Sequence, residues 1–385
     1  MLNNILNNLK KARIEANITA EEIEKKLIFG PGWIDGIENG KIPIDLETLL
    51  SIISVMGIPF SKIFIIGEKS ESQELPRNIY AVQNKEDIEV HFKYSKHDAV
   101  YILKKATVSQ FKMVLKELRD GLARLQDSNY NTEAIKTDSV SRAFRKAVEL
   151  WPHANPSDIW WFIIYRAYCD PFNHPAKYFR LSFEQSWKRT GGWALEEILV
   201  AHYGPSLATK GIKIFIANRE QREELLKQIM IDDRLEADKA DILLSGKINN
   251  KEVLFGIVHV KASFAERRTD DVPMSQLLVK SGYFSPLWTM DCKSSPSERP
   301  VNKGELGNVK EIKDKRSAKR KDIEDDSFFS CCFSYNSNTL PTPETQNSSS
   351  KIYVCDFNNS SEDVFVNKIL EFWDHFSAIN KGRFS

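Results

Sequence analysis

The segment from Leu235 to Asp271 constrains the fold of this chain more than any other stretch, because it predicts two adjacent strands joined by a turn. The predicted elements are a strand over 241–245, a turn over 246–250 and a second strand over 253–261. An acidic residue, Asp241, opens the first strand, and Lys261 closes the second, where the apolar body of the strand gives way to polar residues. The hairpin therefore places a carboxylate and an ammonium group at the mouths of neighbouring strands.

This pair of charged groups suits a metal-dependent phosphodiesterase. A carboxylate binds a divalent cation that polarises the scissile phosphate, while a neighbouring ammonium orients or activates the attacking water and offsets developing charge. Asp241 is therefore the candidate metal ligand, and Asp241 and Lys261 are both candidate catalytic residues. The alternatives are a turn-initiating aspartate, for which Asp238 is an equal candidate, and an exposed strand-end lysine. The apolar run directly after Asp241 favours that residue.

Asp241, followed after the turn by His259, Val260 and Lys261, resembles the PD-(D/E)xK nuclease core, with histidine where the motif usually has its second acid. The resemblance implies an α/β fold in which helices flank a mixed central sheet. Since side chains alternate along a strand, His259 and Lys261 are expected to face the same site. His259 is accordingly a catalytic candidate, although most lone histidines are simply satisfied core or surface groups.

The second acid has other possible sources, because a neutral imidazole is a poorer magnesium ligand than an oxygen. The segment Thr190–Ile214 resembles the helix that precedes the first core strand in this superfamily, where a glutamate often faces the metal. Glu196 is the better match and a candidate metal ligand, and Glu197 is the second. Glu266, beyond the catalytic lysine, is the remaining candidate.

The sequence after Lys261 resembles type II restriction endonucleases, in which arginines just beyond the catalytic lysine read guanines in the major groove. The DNA-binding residues that this implies are Ser263, Arg267, Arg268, Asp270 and Asp271. The two arginines could instead hold phosphates or pair with the two aspartates. Together with the helical run over 143–170, this stretch most resembles restriction enzymes of the BsaWI kind, which cut a CCGG-containing site. Better-known CCGG cutters carry arginines four and seven places after the lysine. Here those positions are Ala265 and Arg268, which leaves the cut sequence open.

Residues 1–66 predict helices in quick succession, with a tight turn at Phe29–Gly32 before the third. Their order resembles the Cro and lambda-repressor kind of helix-turn-helix, a family in which the third helix enters the major groove. The implied DNA-contacting residues are Trp33, Asn39 and Lys41. A helical bundle used for dimerisation, or for contact with the catalytic domain, is the alternative.

Three domains are predicted: the helix-turn-helix domain (1–66), a linker and small connecting region (67–138), and a nuclease domain (139–385). The connecting region predicts a hairpin (88–94 and 99–103) and an amphipathic helix (108–125). A charge run over 311–326 in the nuclease domain predicts a solvated helix or mobile loop, with a phosphate-tracking arm as the alternative.

The overall charge limits how the chain could bind DNA. Lys and Arg number 54 against 53 Asp and Glu, for a net charge of +1 over 385 residues, so DNA binding must come from local patches. The five cysteines show no paired spacing, which argues against a disulfide framework or a structural zinc site. Because no stretch approaches about 18 uninterrupted apolar residues, we expect a soluble cytoplasmic protein.

The combined hypothesis is a type II restriction endonuclease that uses Mg²⁺ to cut double-stranded DNA at a palindromic sequence. Palindromic cutting implies a homodimer, because each subunit carries one active site. The implied functional partner is a DNA methyltransferase that protects the host's own sites. Two alternatives remain: a transcription regulator whose C-terminal part senses a ligand or dimerises, and a repair or recombination nuclease built on the same core.

Overall fold

The chain forms two compact units, Met1–Glu74 and Leu75–Ser385. The structure is a computed structural model. It describes residues 2–58, 63, 79–94, 97–126, 131–169, 183–229, 239–263, 268–292, 299–310 and 315–383. The three predicted domain boundaries remain a prediction. In the described part of the chain, no helix is long and apolar enough to cross a membrane.

The first unit is a small helical bundle. Its helices are α1 (Leu2–Glu15), α2 (Ala20–Leu27), α3 (Trp33–Glu38) and α4 (Leu46–Met56). Thr19 begins α2 with a capping box completed by Glu22, and Leu9, Ile23 and Ile52 are fully buried between the helices. The predicted order of four helices, with a tight turn before the third, is confirmed.

The second unit begins with a three-stranded antiparallel sheet. Its strands are β1 (Ile79–Asn84), β2 (Asp87–Tyr94) and β3 (His97–Leu103), and helix α5 (Val108–Ala123) follows. The predicted hairpin and helix are confirmed. The start of the region was predicted as a linker, but residues 79–84 form an edge strand because they pair in register with β2.

The larger sheet forms the core of the second unit. It contains β4 (Lys213–Phe215), β5 (Ile242–Ile248), β6 (Lys251–Lys261), β7 (Leu287–Thr289), β8 (Cys332–Ser334) and β9 (Ile352–Val354), in that spatial order. Pairing is antiparallel from β4 to β6 and parallel from β6 to β9, so the sheet is mixed, as predicted. The helices of this part are α6 (Thr132–Leu150), α7 (Pro156–Cys169), α8 (Phe183–Thr209), α9 (Arg219–Gln228), α10 (Arg268–Lys280), α11 (Ala318–Glu324) and α12 (Val364–Asn380).

The hairpin between β5 and β6 is tighter than its sequence predicts. Strand β5 continues through Gly246, and the turn is made by Asn249 and Asn250, whose φ angles are 50° and 66°. Gly246 belongs to the strand, where it pairs with Val253, and its lack of a side chain leaves room for the indole of Trp373; a Cβ there would lie 2.5 Å from the ring. The predicted turn over 246–250 was therefore placed three residues too early at its start.

The charge run over 311–326 is not a solvated segment where the structure describes it. Residues 311–314 lie outside the described residues. Arg316 is only 6% exposed and Arg320 is fully buried, and both guanidinium groups donate to the buried carboxylate of Glu324. The prediction of a solvated helix or mobile loop is wrong for these two side chains. Both are buried because each forms an ion pair with the carboxylate of Glu324.

Candidate active site

Asp241 and Lys261 meet at one end of the inner strands β5 and β6, where β5 begins and β6 finishes. The antiparallel register sets Ile242 opposite Val258, which brings the residue before β5 against the end of β6. Asp241 Oδ2 accepts hydrogen bonds from the Val260 amide at 2.8 Å and from Lys261 Nζ at 3.0 Å. The two residues predicted to share a site are thus in direct contact.

A third charged group joins them. Asp271, in the first turn of α10, places Oδ2 3.2 Å from Lys261 Nζ. Burial alone would lower the pKa of Lys261, but the charges of Asp241 and Asp271 outweigh it, so its pKa is raised. Lys261 therefore stays an ammonium ion at neutral pH, which suits orienting water and offsetting charge better than removing a proton.

Glu196 faces the same cluster from α8. It is 9% exposed, and burial together with the charge of Asp241 raises its pKa to about 8, against the opposing charges of Arg222 and Lys261. Glu197 is half-buried, and the charges that act on it differ from those at Glu196. Burial and the charge of Asp138 of α6 raise its pKa. Of the two glutamates considered from sequence, Glu196 is the one within electrostatic reach of Asp241.

The donor set fits a divalent cation. Asp241 and Glu196 bring two carboxylates close enough for the charge of one to disfavour ionisation of the other, and a bound cation would relieve that repulsion. Among the described residues, no group of three His, Cys, Asp or Glu side chains forms a ready-made metal site. A pair of carboxylates is a common protein contribution to a site for a cation such as Mg²⁺, which completes its shell with water and phosphate oxygens.

His259 lies in the core. It is fully buried, its Nε2 is 3.0 Å from Ser285 Oγ, and its ring packs edge-on against Phe329. Burial lowers its pKa to about 4, so the imidazole is neutral at physiological pH. Of the two interpretations made from sequence, these contacts favour a core histidine, with Nε2 hydrogen-bonded and Nδ1 buried without a hydrogen-bond partner among the described residues.

Arg222 was missed by sequence reasoning. Helix α9 begins with a capping box between Asn218 and Gln221, and this start turns Arg222 to the same face as the buried Leu226 and Ile229. Its charge acts on Glu196. Within the described residues, Nε of Arg222 is buried without a hydrogen-bond partner. The spacing of one arginine four and seven places before buried apolar residues was the available signal.

The residues after Lys261 that were predicted to bind DNA differ in burial, and not all of them are described. Ser263 is half-buried just beyond β6, and Asp271 is buried beside Lys261. Glu266, Ala265 and Arg267 lie outside the described residues, and for Arg268 and Asp270 only the helical backbone is described.

In the first unit, the three predicted contact residues lie on or just after α3. Trp33 is 39% exposed, with its ring 4.8 Å from that of Phe29. The side chain of Asn39 accepts from Lys10 Nζ at 3.1 Å, and Lys41 is exposed. Their role in DNA contact remains a prediction.

Polar residues also follow the parallel strands β7 and β8, whose carboxyl ends lie on the same side as that of β6. Asp291 accepts from the Glu305 amide at 2.6 Å, and Asn336 Nδ2 donates to the Asp291 carbonyl at 2.9 Å. Asn302 Nδ2 donates to Asp158 Oδ1 at 2.8 Å, which ties the start of α7 to this cluster. Burial raises the pKa of Asp158 to about 7.

We expect Asp158→Asn to make stability less dependent on pH. Because the folded-state pKa lies above the ordinary carboxyl value, the proton is held more tightly in the folded state, and the contribution of Asp158 to stability falls as pH rises from about 4 to about 7. The loss is of the order of a few kcal/mol. Urea unfolding at pH 5 and pH 8 measures it. Asp291 and Glu196, whose pKa values burial raises to about 6 and about 8, add slopes of the same sign, and His259, whose pKa burial lowers to about 4, adds one of the opposite sign; all three are present in both proteins.

The variant Asp120→Asn, at a surface pair with Lys116, is the control and should keep the wild-type pH dependence. An unchanged difference between the two pH values in Asp158→Asn would show that Asp158 does not titrate in this range.

Comparison with known proteins gives matches in both units. Residues 209–361 match the family described as BsaWI restriction endonuclease type 2, and residues 9–63 match a helix-turn-helix family. Type II restriction enzyme AgeI of Thalassovita gelatinovora is 37% identical over 241 residues, covering 59% of this chain and 81% of AgeI. A crystal structure of a specific AgeI–DNA complex has a TM-score of 0.62 at 31% identity, over 74% of this chain and 99% of that one. A crystal structure of a pre-specific BsaWI–DNA complex has a TM-score of 0.34 at 16% identity, over 70% of this chain and 95% of that one.

Proposed function

Because this chain belongs to the BsaWI-like type II restriction endonucleases and carries an N-terminal helix-turn-helix, we propose that it hydrolyses double-stranded DNA at a specific, palindromic sequence with Mg²⁺. The observation that carries the proposal is the contact between Asp241 and Lys261 at the ends of β5 and β6, with Glu196 facing it from α8. This is the acid–lysine arrangement expected of a metal-dependent phosphodiesterase. We propose that the recognised sequence contains CCGG, because the chain resembles enzymes of the BsaWI kind.

The residues divide the chemistry among them. Asp241 and Glu196 would hold the cation, which when bound polarises the scissile phosphate and makes water a better nucleophile. Lys261, kept protonated by its two carboxylate neighbours, orients the attacking water and stabilises negative charge that develops on the phosphate. His259, neutral and buried, supports the end of β6 through Ser285.

The proposed partners follow from a palindromic substrate. Two-fold symmetric DNA is cut on both strands by a two-fold symmetric homodimer, with one Asp241–Lys261 centre in each subunit. AgeI has been crystallised in a specific complex with DNA, which supports DNA as the partner. A DNA methyltransferase with the same sequence specificity would protect the host's sites.

We expect purified protein to cut unmethylated phage DNA into discrete fragments with Mg²⁺, and to leave the DNA intact when EDTA removes the cation. The reason is that the two carboxylates can stabilise the reacting phosphate only through a bound cation. Gel electrophoresis gives the result, and sequencing of the fragment ends gives the recognition site and cut position. Restoring excess Mg²⁺ after EDTA is the control and should restore cutting.

Intact DNA in every lane, across several DNAs and divalent cations, would contradict the nuclease proposal and favour the regulator. A smear without discrete bands would favour a nuclease that recognises DNA structure.

A further inference from the structure

Asp271 is buried inside the candidate active site. It is the fourth residue of α10 and is only 6% exposed, and Oδ2 lies 3.2 Å from Lys261 Nζ. A side chain that reads bases in the major groove must reach out of the protein surface. The burial of Asp271 therefore favours a role within the site over the DNA contact predicted from sequence.

The lysine has a physical need for this second carboxylate. An ammonium ion on a flexible four-carbon stem is strongly hydrated, and it is held away from water only when it is paired. Lys261 is 15% exposed. The oxygen of Asp241 that it contacts also accepts the Val260 amide, and Asp241 is the candidate ligand of the cation. Asp271 supplies a carboxylate from a different element of the fold.

We propose that Asp271 is a positioning residue that holds the Lys261 ammonium at the end of β6, so that Asp241 can serve the cation. The role in catalysis rests on the proposed nuclease function, whereas the pairing itself does not. The simpler alternative is that Asp271 only favours the start of α10, since acidic residues in the first turn stabilise a helix. That contribution would not depend on Lys261.

A stability cycle separates the two roles without reference to activity. Four full-length proteins are unfolded in urea: wild type, Lys261→Ala, Asp271→Asn and the double variant. Lys261→Ala removes the ammonium group that faces the buried Asp271, so its midpoint should fall. Adding Asp271→Asn also removes the negative charge that faced this ammonium, so the double variant should unfold at a higher midpoint than Lys261→Ala. An equal decrease from Asp271→Asn in both backgrounds would overturn the pairing.

A cleavage cycle then tests the role in the reaction. With a DNA duplex containing the recognition site, Asp271→Asn should slow single-turnover cleavage by about tenfold to a hundredfold, because a misplaced catalytic group costs about that much. The Kd for the same duplex, measured in EDTA, should stay within about threefold of wild type. In the Lys261→Ala background, Asp271→Asn should cause no further loss of rate. A weakened Kd with an unchanged rate would identify a DNA contact and overturn the proposal.

The matched control is Glu252→Gln. Glu252 pairs with Lys213 at 3.2 Å near the opposite end of β6, so it is also a carboxylate in a lysine pair on the same strand. Its rate should equal that of wild type. If Asp271→Asn alone fails to fold, the comparison of the double variant with Lys261→Ala still decides the pairing. If wild type cuts no DNA, the nuclease proposal fails, while the stability cycle still tests the ion pair.

Discussion

Asp241→Asn is expected to reduce cleavage of the recognition duplex by roughly a thousandfold or more, since charge stabilisation by a bound metal is worth several kcal/mol. The substitution replaces one carboxylate oxygen with an amide group of nearly the same shape, so the end of β6 can still be packed against it. The loss therefore reports the missing negative charge at the proposed cation site. Single-turnover cleavage with excess enzyme measures it.

Two controls accompany this variant. Lys251→Ala changes an exposed lysine at the other end of β6, ten residues before Lys261, and should leave the rate unchanged. Wild type and Asp241→Asn should melt within a few degrees of each other. Full activity of Asp241→Asn in a folded protein would place the cation elsewhere and contradict the proposed site.

Of the substitutions named for this protein, Arg320→Ala should lower the free energy of unfolding most, by about 3–5 kcal/mol, because it removes one partner of a buried ion pair. Arg320 is fully buried, and Nη1 donates to Glu324 Oε1 at 2.7 Å while Nε donates to the Leu306 carbonyl at 3.2 Å. Its removal takes one of two guanidinium partners from Glu324, which keeps Arg316, and one of two donors from the Leu306 carbonyl, which keeps Ser317 Oγ. The midpoint of urea unfolding measures the change in the free energy of unfolding.

Lys315→Ala is the matched control, since Lys315 belongs to the same charge run but is exposed, and its midpoint should not move. Arg320→Met keeps much of the side-chain volume without the charge. It should recover only the part of the loss that comes from the cavity. A change below about 1 kcal/mol for Arg320→Ala would show that this ion pair is not needed for stability.

The sequence was most informative where chemistry depends on strand neighbours. Asp241 and Lys261 belong to two strands joined by a short turn, so local pairing alone brings them together. Asp271 lies only ten residues after Lys261, yet its place was not predicted, because the direction in which α10 leaves the strand is set by packing. The burial of Arg222 likewise depends on how α9 packs, and its neighbours in sequence are mostly polar.

Burial of charged residues was the other feature that the sequence did not reveal. A run with many lysines, arginines and acids usually predicts a solvated segment, and Lys315 fits that expectation. Arg316 and Arg320 do not, because Glu324 accepts hydrogen bonds from both and also from Thr342 at 2.6 Å. Glu324 lies inside the run, but the composition of the run does not show which of its acids pairs with these arginines, and the Thr342 donor lies outside it.

The length of β6 has a consequence for how the catalytic groups move. Residues 253–260 of this strand are all buried, and it is paired with β5 on one side and β7 on the other. Amide hydrogens in such a central strand exchange with solvent mainly through global unfolding, whereas helix ends open locally at far lower cost. Lys261 is thus attached to an element that opens slowly. Its backbone should stay in place during local fluctuations that release the first turn of α10, while its ammonium then loses Asp271, one of its two carboxylate partners.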